Sequence, residues 1–192
     1  MPRPSQENKI LEAALYCFAQ KGYDGTTIRH MAEAAGVTEG AIYRHYPTKE
    51  AVAQSLYAHY LALITACLQE VTKSGEGIKA QLQQMIQALL EQYRQNPAAA
   101  TFVLLRKHNF MPVLPPDFVY PLEIVGDVIK QGQEQKLIRP GRPDLLAAIF
   151  LGCVFQPIIF SKPDNAGGIT LVHKGENDEV IKEAAWGALS KQ

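Results

Sequence analysis

The segment Thr27–Glu50, with the sequence TIRHMAEAAGVTEGAIYRHYPTKE, decides the fold. The apolar residues of its first half recur at the spacing of one helical face: Ile28, Met31, Ala32 and Ala35. Gly36 ends that helix, because glycine accepts the left-handed conformation of a helix C-terminus. Thr38 stands where the N-cap of another short helix belongs, and that helix runs to about His45. Two short helices joined by a tight turn at a glycine predict a helix-turn-helix unit.

The helix that begins after Thr38 is expected to expose most of one side. Val37 and Ile42 supply the side that packs inward, because both are apolar. The outward side is polar or small: Thr38, Glu39, Gly40, Ala41, Arg44 and His45. A helix-turn-helix places such a helix in the major groove of DNA. Because a helix this short is marginal alone, burial against neighbouring helices has to stabilise it.

The rest of the chain is also predicted to be helical. A first helix, capped by Ser5 and ended at Lys21–Gly22, has apolar residues at helical spacing: Ile10, Leu11, Ala14, Leu15 and Phe18. A long helix opens at Pro47–Glu50 and runs to about Val71. Further helices are expected at about 78–95, 97–108, 117–135, 143–155 and 178–189, with a rigid loop at 111–116 and a short extended piece at 169–173. The chain is therefore predicted to be all-α, with one domain at 1–50 and a larger helical domain at 51–192.

Composition limits the classes of function. The 192 residues are 47% apolar and 20% charged, as in a globular protein with its own core. Lys plus Arg number 19 and Asp plus Glu number 19, so the formal net charge is zero. This balance excludes a protein that grips nucleic acid by bulk charge, but it permits binding by a locally arranged surface.

The sequence offers no catalytic, cofactor or metal site. The three cysteines, Cys17, Cys67 and Cys153, are far apart and form no CxxC pair, so they are expected to be small buried residues. The histidines His30, His59, His108 and His173 lack ligand-like spacing. Nucleophile, phosphate-binding and dinucleotide-binding motifs are also absent from the sequence. We therefore expect neither an enzyme nor a bound cofactor.

The chain is expected to be cytoplasmic and not to be held in a membrane. Its first residues, Met1–Glu7, contain no apolar signal region. The most apolar stretch, Leu145–Phe160, is shorter than the roughly 20 residues of a spanning helix and is interrupted by Gln156 and Pro157. A buried helix in the core or at a subunit interface explains this stretch better than a membrane helix does.

These residues resemble a known family. Thr27–Glu50 is similar to the DNA-binding signature of the tetracycline-repressor (TetR) family of bacterial transcriptional regulators, and the resemblance covers about residues 8–55. Upstream residues that fit the same signature are Ile10, Ala14, Phe18, Gly22, Tyr23 and Thr27. The run Gly132–Gly152 also resembles the penultimate-helix region of the family. The resemblance implies a three-helix DNA-binding domain joined by a long fourth helix to a ligand-binding and dimerisation bundle.

The resemblance implies ten DNA-binding positions: Thr27, Arg29, Thr38, Glu39, Gly40, Ala41, Tyr43, Arg44, His45 and Lys49. The first residues of the recognition helix read base edges, and Tyr43 and His45 hold the phosphate backbone. Lys49 matches a phosphate contact at the N-terminus of the fourth helix, and its replacement is expected to lower the salt dependence of binding by about one unit. Arg44 has the chemistry to donate a bidentate pair to guanine.

Three residues depart from the usual signature. Ala41 replaces a common hydroxyl residue, so one phosphate hydrogen bond is expected to be missing. Glu39 stands where basic or neutral residues are frequent; it would either accept from cytosine or repel phosphate. Tyr46 replaces the usual Phe and brings a hydroxyl that needs a partner. These departures leave the base preference open.

The larger domain carries two further expectations. The family keeps an effector pocket in this bundle, and the candidate ligand-binding residues are Phe102, Arg106, His108, Asn109, Phe110 and Tyr120. The family also pairs its last two helices across a two-fold axis, and the candidate dimer residues are Leu145, Ala148, Leu151, Phe155, Ile181, Ala185 and Trp186. Ordinary packing within one core is the alternative for both sets.

The hypothesis is a homodimeric regulator, most simply a repressor, that a small apolar effector releases from a palindromic operator in double-stranded DNA. One alternative is a helical binding module that has lost DNA affinity, and a failure to protect any DNA would favour it. A second alternative is a helical enzyme acting on an apolar substrate, and turnover that depends on His108 would favour that.

Overall fold

The computed structural model describes residues 6–104, 114–161 and 171–191. Within these ranges the chain forms nine α-helices: α1 (Gln6–Gly25), α2 (Ile28–Ala35), α3 (Glu39–His45), α4 (Lys49–Thr72), α5 (Ile78–Gln95), α6 (Pro97–Leu104), α7 (Pro121–Glu134), α8 (Pro143–Phe160) and α9 (Asp178–Leu189). The described ranges contain no strand, only an isolated antiparallel bridge between Ile138 and Ser190. The expected all-α class is confirmed.

The chain divides into two compact units. The first comprises Met1–Leu61 and Ala98–Pro116, and the second comprises Ala62–Pro97 and Asp117–Gln192. The division falls inside α4, because side chains of its first half, such as Val52 and Leu56, are fully buried in the core of the first unit. The sequence placed a functional boundary at residue 50, and that boundary stays a prediction.

The first unit is built around α1, α2, α3 and the start of α4. Its fully buried apolar residues come from each of these helices: Ile10, Ala14, Met31, Ile42, Val52, Ala53 and Leu56. Residues of α6 complete this core, since Ala99 is buried in it and the ring of Phe102 stacks on Phe18 at 5.6 Å. The short helix α3 is thus held by tertiary burial, as its length requires.

The second unit packs α7 against α8, α8 against α9, and α5 against all three. The α7 backbone lies close to its neighbours at Gly132, where a Cβ would meet Ile138 Cδ1 at 2.6 Å and Ile78 Cγ2 at 2.9 Å. Arg94 at the end of α5 donates from Nε to the Val172 carbonyl at 2.9 Å and pairs with the buried Asp178 carboxylate at the start of α9. These contacts join the ends of helices that are distant in sequence.

Four predicted boundaries differ from the observed ones. α1 was expected to end at Lys21–Gly22 but runs to Gly25; its helical backbone is nevertheless interrupted at Gly22, where φ is 70° and ψ is 171°. α8 continues to Phe160 with Pro157 inside it, because a proline near a helix end removes one hydrogen bond without stopping the turn. α7 begins at Pro121 rather than near 117, because the proline takes the first helical position and Glu123 accepts from the Tyr120 N–H. Of the extended piece expected at 169–173, residues 171–173 form bends, and 169–170 lie outside the described ranges.

By length and composition, α4 and α8 could each cross a membrane. Each nevertheless supplies fully buried side chains to a protein core, such as Leu56 on α4 and Val154 on α8. A core helix meets the same criteria of length and hydropathy, and these buried positions favour that explanation.

Candidate nucleic-acid interface

The helix α3 presents one side to solvent. Tyr43 is 51% exposed, and Glu39, Gly40, Arg44 and His45 are also exposed. Ile42 is fully buried, as the sequence predicts. Ala41 is only 6% exposed, so its expected place on the outward side is wrong. α3 packs against α2, and this tertiary packing buries Ala41 together with the neighbouring Ile42.

Capping fixes both ends of α3. Thr38 has extended backbone angles, and its Oγ1 accepts from the Ala41 N–H at 3.1 Å. A hydroxyl that accepts in this way keeps its own proton, so Thr38 can still donate to a phosphate. The basic residues Arg44 and His45 lie in the last turn, where the helix dipole favours positive charge. At the C-terminal end the Tyr46 N–H donates to the Ile42 carbonyl, so both ends of α3 are capped while its polar side chains stay exposed.

The turn before α3 depends on Gly36. Its φ is 65° and its ψ is 37°, which is the left-handed region, and it caps α2. The following Val37 N–H donates to the Ala32 carbonyl at 3.0 Å. The sequence predicted this turn from the glycine alone, and its geometry is as expected.

The start of α2 uses a residue that was expected to contact DNA. Thr27 caps α2, because its Oγ1 accepts from the His30 N–H at 3.3 Å. The Thr27 N–H in turn donates to His30 Nδ1 at 3.3 Å, which completes a capping box with histidine in the place of the usual acid. The side chain of Thr27 is exposed, so the capping role leaves it accessible.

Arg29 is an exposed cation held by a neighbouring acid. Its Nε lies 2.9 Å from Glu33 Oε1, and the two side chains are 75% and 61% exposed. The hydrogen bond to Glu33, followed by the charges of Glu33 and Glu39, raises the pKa of Arg29. Because both partners face solvent, the pair is weak and Arg29 can exchange Glu33 for a phosphate.

The charges of this surface balance. Thr27–Glu50 contains three basic residues, Arg29, Arg44 and Lys49, and three acidic ones, Glu33, Glu39 and Glu50. Bulk attraction to phosphate is therefore small, and the placement of the exposed arginines determines what the surface can bind.

Lys49 contacts the protein itself. Its Nζ donates to the Tyr23 carbonyl at 2.8 Å and the Thr26 carbonyl at 3.0 Å, and it lies 4.4 Å from the centroid of the Tyr23 ring. The sequence could not reveal these contacts, because the partners lie more than 20 residues away. The ammonium expected to meet a phosphate is already occupied in the described structure.

Tyr46 finds a partner for its additional hydroxyl. Its ring is buried, and its hydroxyl donates to Glu7 Oε1 at 3.0 Å. Burial, together with the Glu7 carboxylate, raises the pKa of Tyr46. The contact ties the end of α3 to the start of α1.

Most of the expected ligand-binding residues lie outside the described ranges: Arg106, His108, Asn109 and Phe110. Phe102 stacks on Phe18 in the first core, and Tyr120 is 41% exposed ahead of α7. An open depression of about 420 Å³ in the second unit is lined by Gln133, Lys136, Ile138, Pro140, Gly141 and Lys191. None of the described candidate ligand residues lines it.

The expected dimer residues fall on two different faces. Leu145 and Ala148 are exposed, whereas Leu151, Ile181 and Ala185 are buried within the second unit. The latter three were expected at the dimer surface, and the structure corrects that placement because they pack inside one chain. Phe155 and Trp186 are half-buried.

The sequence analysis missed part of an exposed stripe on α8. Its members follow Leu145 at helical spacing: the exposed Ala148, Ile149 and Ile159, and the half-buried Gly152. On α9 the exposed residues include Val180, Ala184 and Gly187. The i, i+3, i+4 spacing counted from Leu145 was the available signal. We call these eight residues the α8–α9 face.

Comparison with known proteins identifies the first unit. Residues 10–56 match the family model described as bacterial regulatory proteins, tetR family. The HTH-type transcriptional repressor KstR2 of Mycobacterium tuberculosis is 27% identical over 143 residues, which cover 71% of this chain and 70% of that protein. The uncharacterized HTH-type transcriptional regulator YerO of Bacillus subtilis is 28% identical over 109 residues, 56% of this chain but only 37% of the relative. The resemblance inferred from the sequence is confirmed.

Solved structures share the fold along almost the whole chain. KstR2 of Mycobacterium tuberculosis superimposes with a TM-score of 0.73 at 22% identity, covering 99% of this chain and 97% of that one. AibR in complex with isovaleryl coenzyme A and operator DNA gives 0.72 at 21% identity, covering 97% and 98%. The fatty acid degradation regulator FadR of Bacillus halodurans gives 0.74 at 14% identity, covering 97% of each chain. At these identities the likeness concerns the fold alone.

Proposed function

Because residues 10–56 of this chain match the family model of bacterial regulatory proteins, tetR family, we propose that the protein is a cytoplasmic, homodimeric regulator that represses transcription from a palindromic operator. The observation that carries this proposal is the exposed side of α3, with Tyr43, Arg44 and His45 on a helix capped at both ends. Recognition helices read the major groove from such a side.

Each exposed side chain has a proposed role. Arg44 donates to a guanine edge, and Tyr43 and His45 hold phosphates on either side of the groove. Arg29 exchanges its ion pair with Glu33 for one with a phosphate, and the Thr38 hydroxyl donates a hydrogen bond to a phosphate. Residues Glu39 and Gly40 bring the start of α3 close to the bases. Thr27 contributes its exposed hydroxyl, whereas the buried methyl of Ala41 contributes packing.

Dimerisation follows from the size of the reading surface. A single recognition helix covers too few base pairs, whereas two helices about 34–36 Å apart read a palindrome. The α8–α9 face supports the pairing, because its residues are apolar or small and all except the half-buried Gly152 are exposed, so two backbones could approach closely there.

The proposed effector is a small apolar molecule that binds the larger helical domain predicted at 51–192. KstR2 is described as a ketosteroid transcriptional regulator, AibR was solved in complex with isovaleryl coenzyme A and operator DNA, and FadR is described as a fatty acid degradation regulator. Ketosteroids, fatty acids and acyl thioesters with an apolar acyl chain are therefore the first compounds to screen. A ligand releases DNA only to the extent that it binds the released state more tightly.

The decisive experiment incubates the purified protein with fragmented DNA from its own genome at about 150 mM salt, where binding by charge alone weakens. Sequencing of the retained fragments is expected to recover one palindrome. Retention of nothing by a folded dimer that carries no co-purified ligand, as established by mass spectrometry, would contradict the proposal and favour the binding-module alternative.

A further inference from the structure

Lys49 joins the two ends of the DNA-reading segment. One end is Thr26, the last residue before the α2 cap, and the other is Lys49, the first residue of α4. The Lys49 ammonium donates to the Thr26 carbonyl at 3.0 Å and to the Tyr23 carbonyl at 2.8 Å. These bonds therefore close a loop of the chain from Thr26 to Lys49, and this loop contains α2, the glycine turn and α3.

The turn at the end of α1 is held from its other side by Thr26. Its side chain is 1% exposed, and its Oγ1 lies 3.0 Å from the Cys17 carbonyl and 2.7 Å from the Gly22 carbonyl. The Thr26 N–H donates to the Tyr23 carbonyl at 3.3 Å, the same oxygen that accepts from Lys49. The backbone amide of Thr26 therefore reports directly on this turn.

An ammonium group suits this position. It has three N–H donors, of which two meet the carbonyls, while its charge lies 4.4 Å from the face of the Tyr23 ring. Two carbonyl oxygens and the Tyr23 ring thus give the Lys49 ammonium its hydrogen bonds and a favourable electrostatic contact without a phosphate. Lys49 is also half-buried, unlike the exposed Arg29 and Arg44.

We propose that Lys49 is a positioning residue, not a phosphate contact: it clamps the Gly22–Thr26 turn to the first turn of α4 and so fixes α2 and α3 for binding. The clamp itself exists in the free protein, and only its effect on affinity rests on the proposed function. Closing the loop in advance removes chain freedom that binding would otherwise have to remove.

The first test needs no DNA. In Lys49→Met, hydrogen exchange at the Thr26 amide is expected to rise at least about tenfold, because bonds from a charged donor are lost. The Ile42 amide, which is bonded to the Thr38 carbonyl and reports the stability of the whole unit, is expected to rise less than the Thr26 amide. Lys9→Met, which removes an exposed lysine of α1, is the matched control. Unchanged exchange at Thr26, or an equal rise at Thr26 and Ile42, would overturn the clamp.

A second measurement uses the wild-type protein, in case Lys49→Met does not fold. The ¹⁵N-labelled ammonium of Lys49 is expected to exchange slowly with water in the free protein and to couple across its hydrogen bonds to the carbonyl carbons of Tyr23 and Thr26. An ammonium that exchanges rapidly until DNA is added would be a phosphate contact and would overturn the proposal.

The salt dependence of operator binding distinguishes a clamp at Lys49 from a phosphate contact. A clamp predicts that Lys49→Met weakens operator binding about tenfold at every salt concentration with an unchanged salt slope. A phosphate contact predicts a slope smaller by about 0.9. If the wild-type protein binds no DNA, the proposed function fails, and the two measurements on the free protein still decide the clamp.

Discussion

Arg44 is the residue on which sequence-specific binding is expected to depend most. It is exposed in the last turn of α3, and a bidentate pair to guanine contributes about 1–3 kcal/mol of discrimination. Arg44→Ala should therefore lose about 5- to 150-fold in operator affinity, measured by fluorescence anisotropy, and should relax the sequence preference. Arg142→Ala, which removes another exposed arginine, in the second unit, is the control. Unchanged operator affinity in Arg44→Ala would remove this residue from the interface.

Tyr46 shows how one hydroxyl links two helices. Tyr46→Phe removes the donor to Glu7 while keeping the buried ring, so the first unit should lose about 1 kcal/mol of unfolding free energy. Hydrogen exchange at the slowest-exchanging amides of the first unit would measure this loss of unfolding free energy. Tyr16→Phe, at a ring that is 62% exposed, should change stability by less than about 0.5 kcal/mol. Equal effects of the two substitutions would mean that the Tyr46–Glu7 bond contributes nothing.

The cysteines should be inert thiols. Burial raises the pKa of Cys67 to about 11 and also raises the pKa of Cys17 and Cys153. A raised thiol pKa leaves less thiolate, and at pH 8 Cys67 should be about 0.1% ionised, against about a quarter for a free cysteine. Reaction of Cys67 with an aromatic disulfide reagent at pH 8 should therefore be about 250-fold slower in the native protein than in urea. A fast-reacting native thiol would contradict this expectation.

At the scale of the element, two glycines of the helix-turn-helix have opposite roles. Gly36 adopts a φ of +65°, where an L residue costs about 1–2 kcal/mol, although no atom lies within 4 Å of its missing Cβ. Gly40 is helical, and a Cβ there would meet only Thr38 Oγ1 at 3.9 Å. Gly36→Ala should therefore destabilise the first unit, and Gly40→Ala should stabilise it by about 0.5–1 kcal/mol.

Amide exchange in the two variants, compared with that of the wild-type protein, measures both effects. Because neither alanine meets a close contact, the comparison isolates the backbone conformation from packing. A stable Gly36→Ala protein would show that the turn tolerates another conformation, and the predicted geometry of the helix-turn-helix would then be wrong.

At the scale of the whole molecule, the α8–α9 face is expected to join two copies of the chain. Ile149 is 43% exposed in the middle of this face, so Ile149→Asp should produce monomers in sedimentation equilibrium and abolish operator binding. Leu137→Asp, at a residue 44% exposed outside the face, should leave the dimer intact. A dimeric Ile149→Asp protein would place the interface elsewhere.

Helical spacing and the helix signals were enough to predict much of this protein. The bounds of α5 and α9, the end of α2 at the glycine turn and the all-α class all follow from interactions between residues close in the chain, which is why a single sequence reveals them. The family resemblance likewise rests on fixed spacings within one short segment, and the match of residues 10–56 to the family model confirms it.

The sequence by itself determined which residues form the helix-turn-helix and that α3 keeps a polar exposed side. Only the tertiary structure decided that Ala41 packs inward, that Leu151, Ile181 and Ala185 are buried within one chain, and that Lys49 meets Tyr23 and Thr26. The physical reason is the range of the interactions. Capping and periodicity act within a few residues, whereas the choice of the face that is buried and of the carbonyl that meets an ammonium depends on segments far apart in the chain.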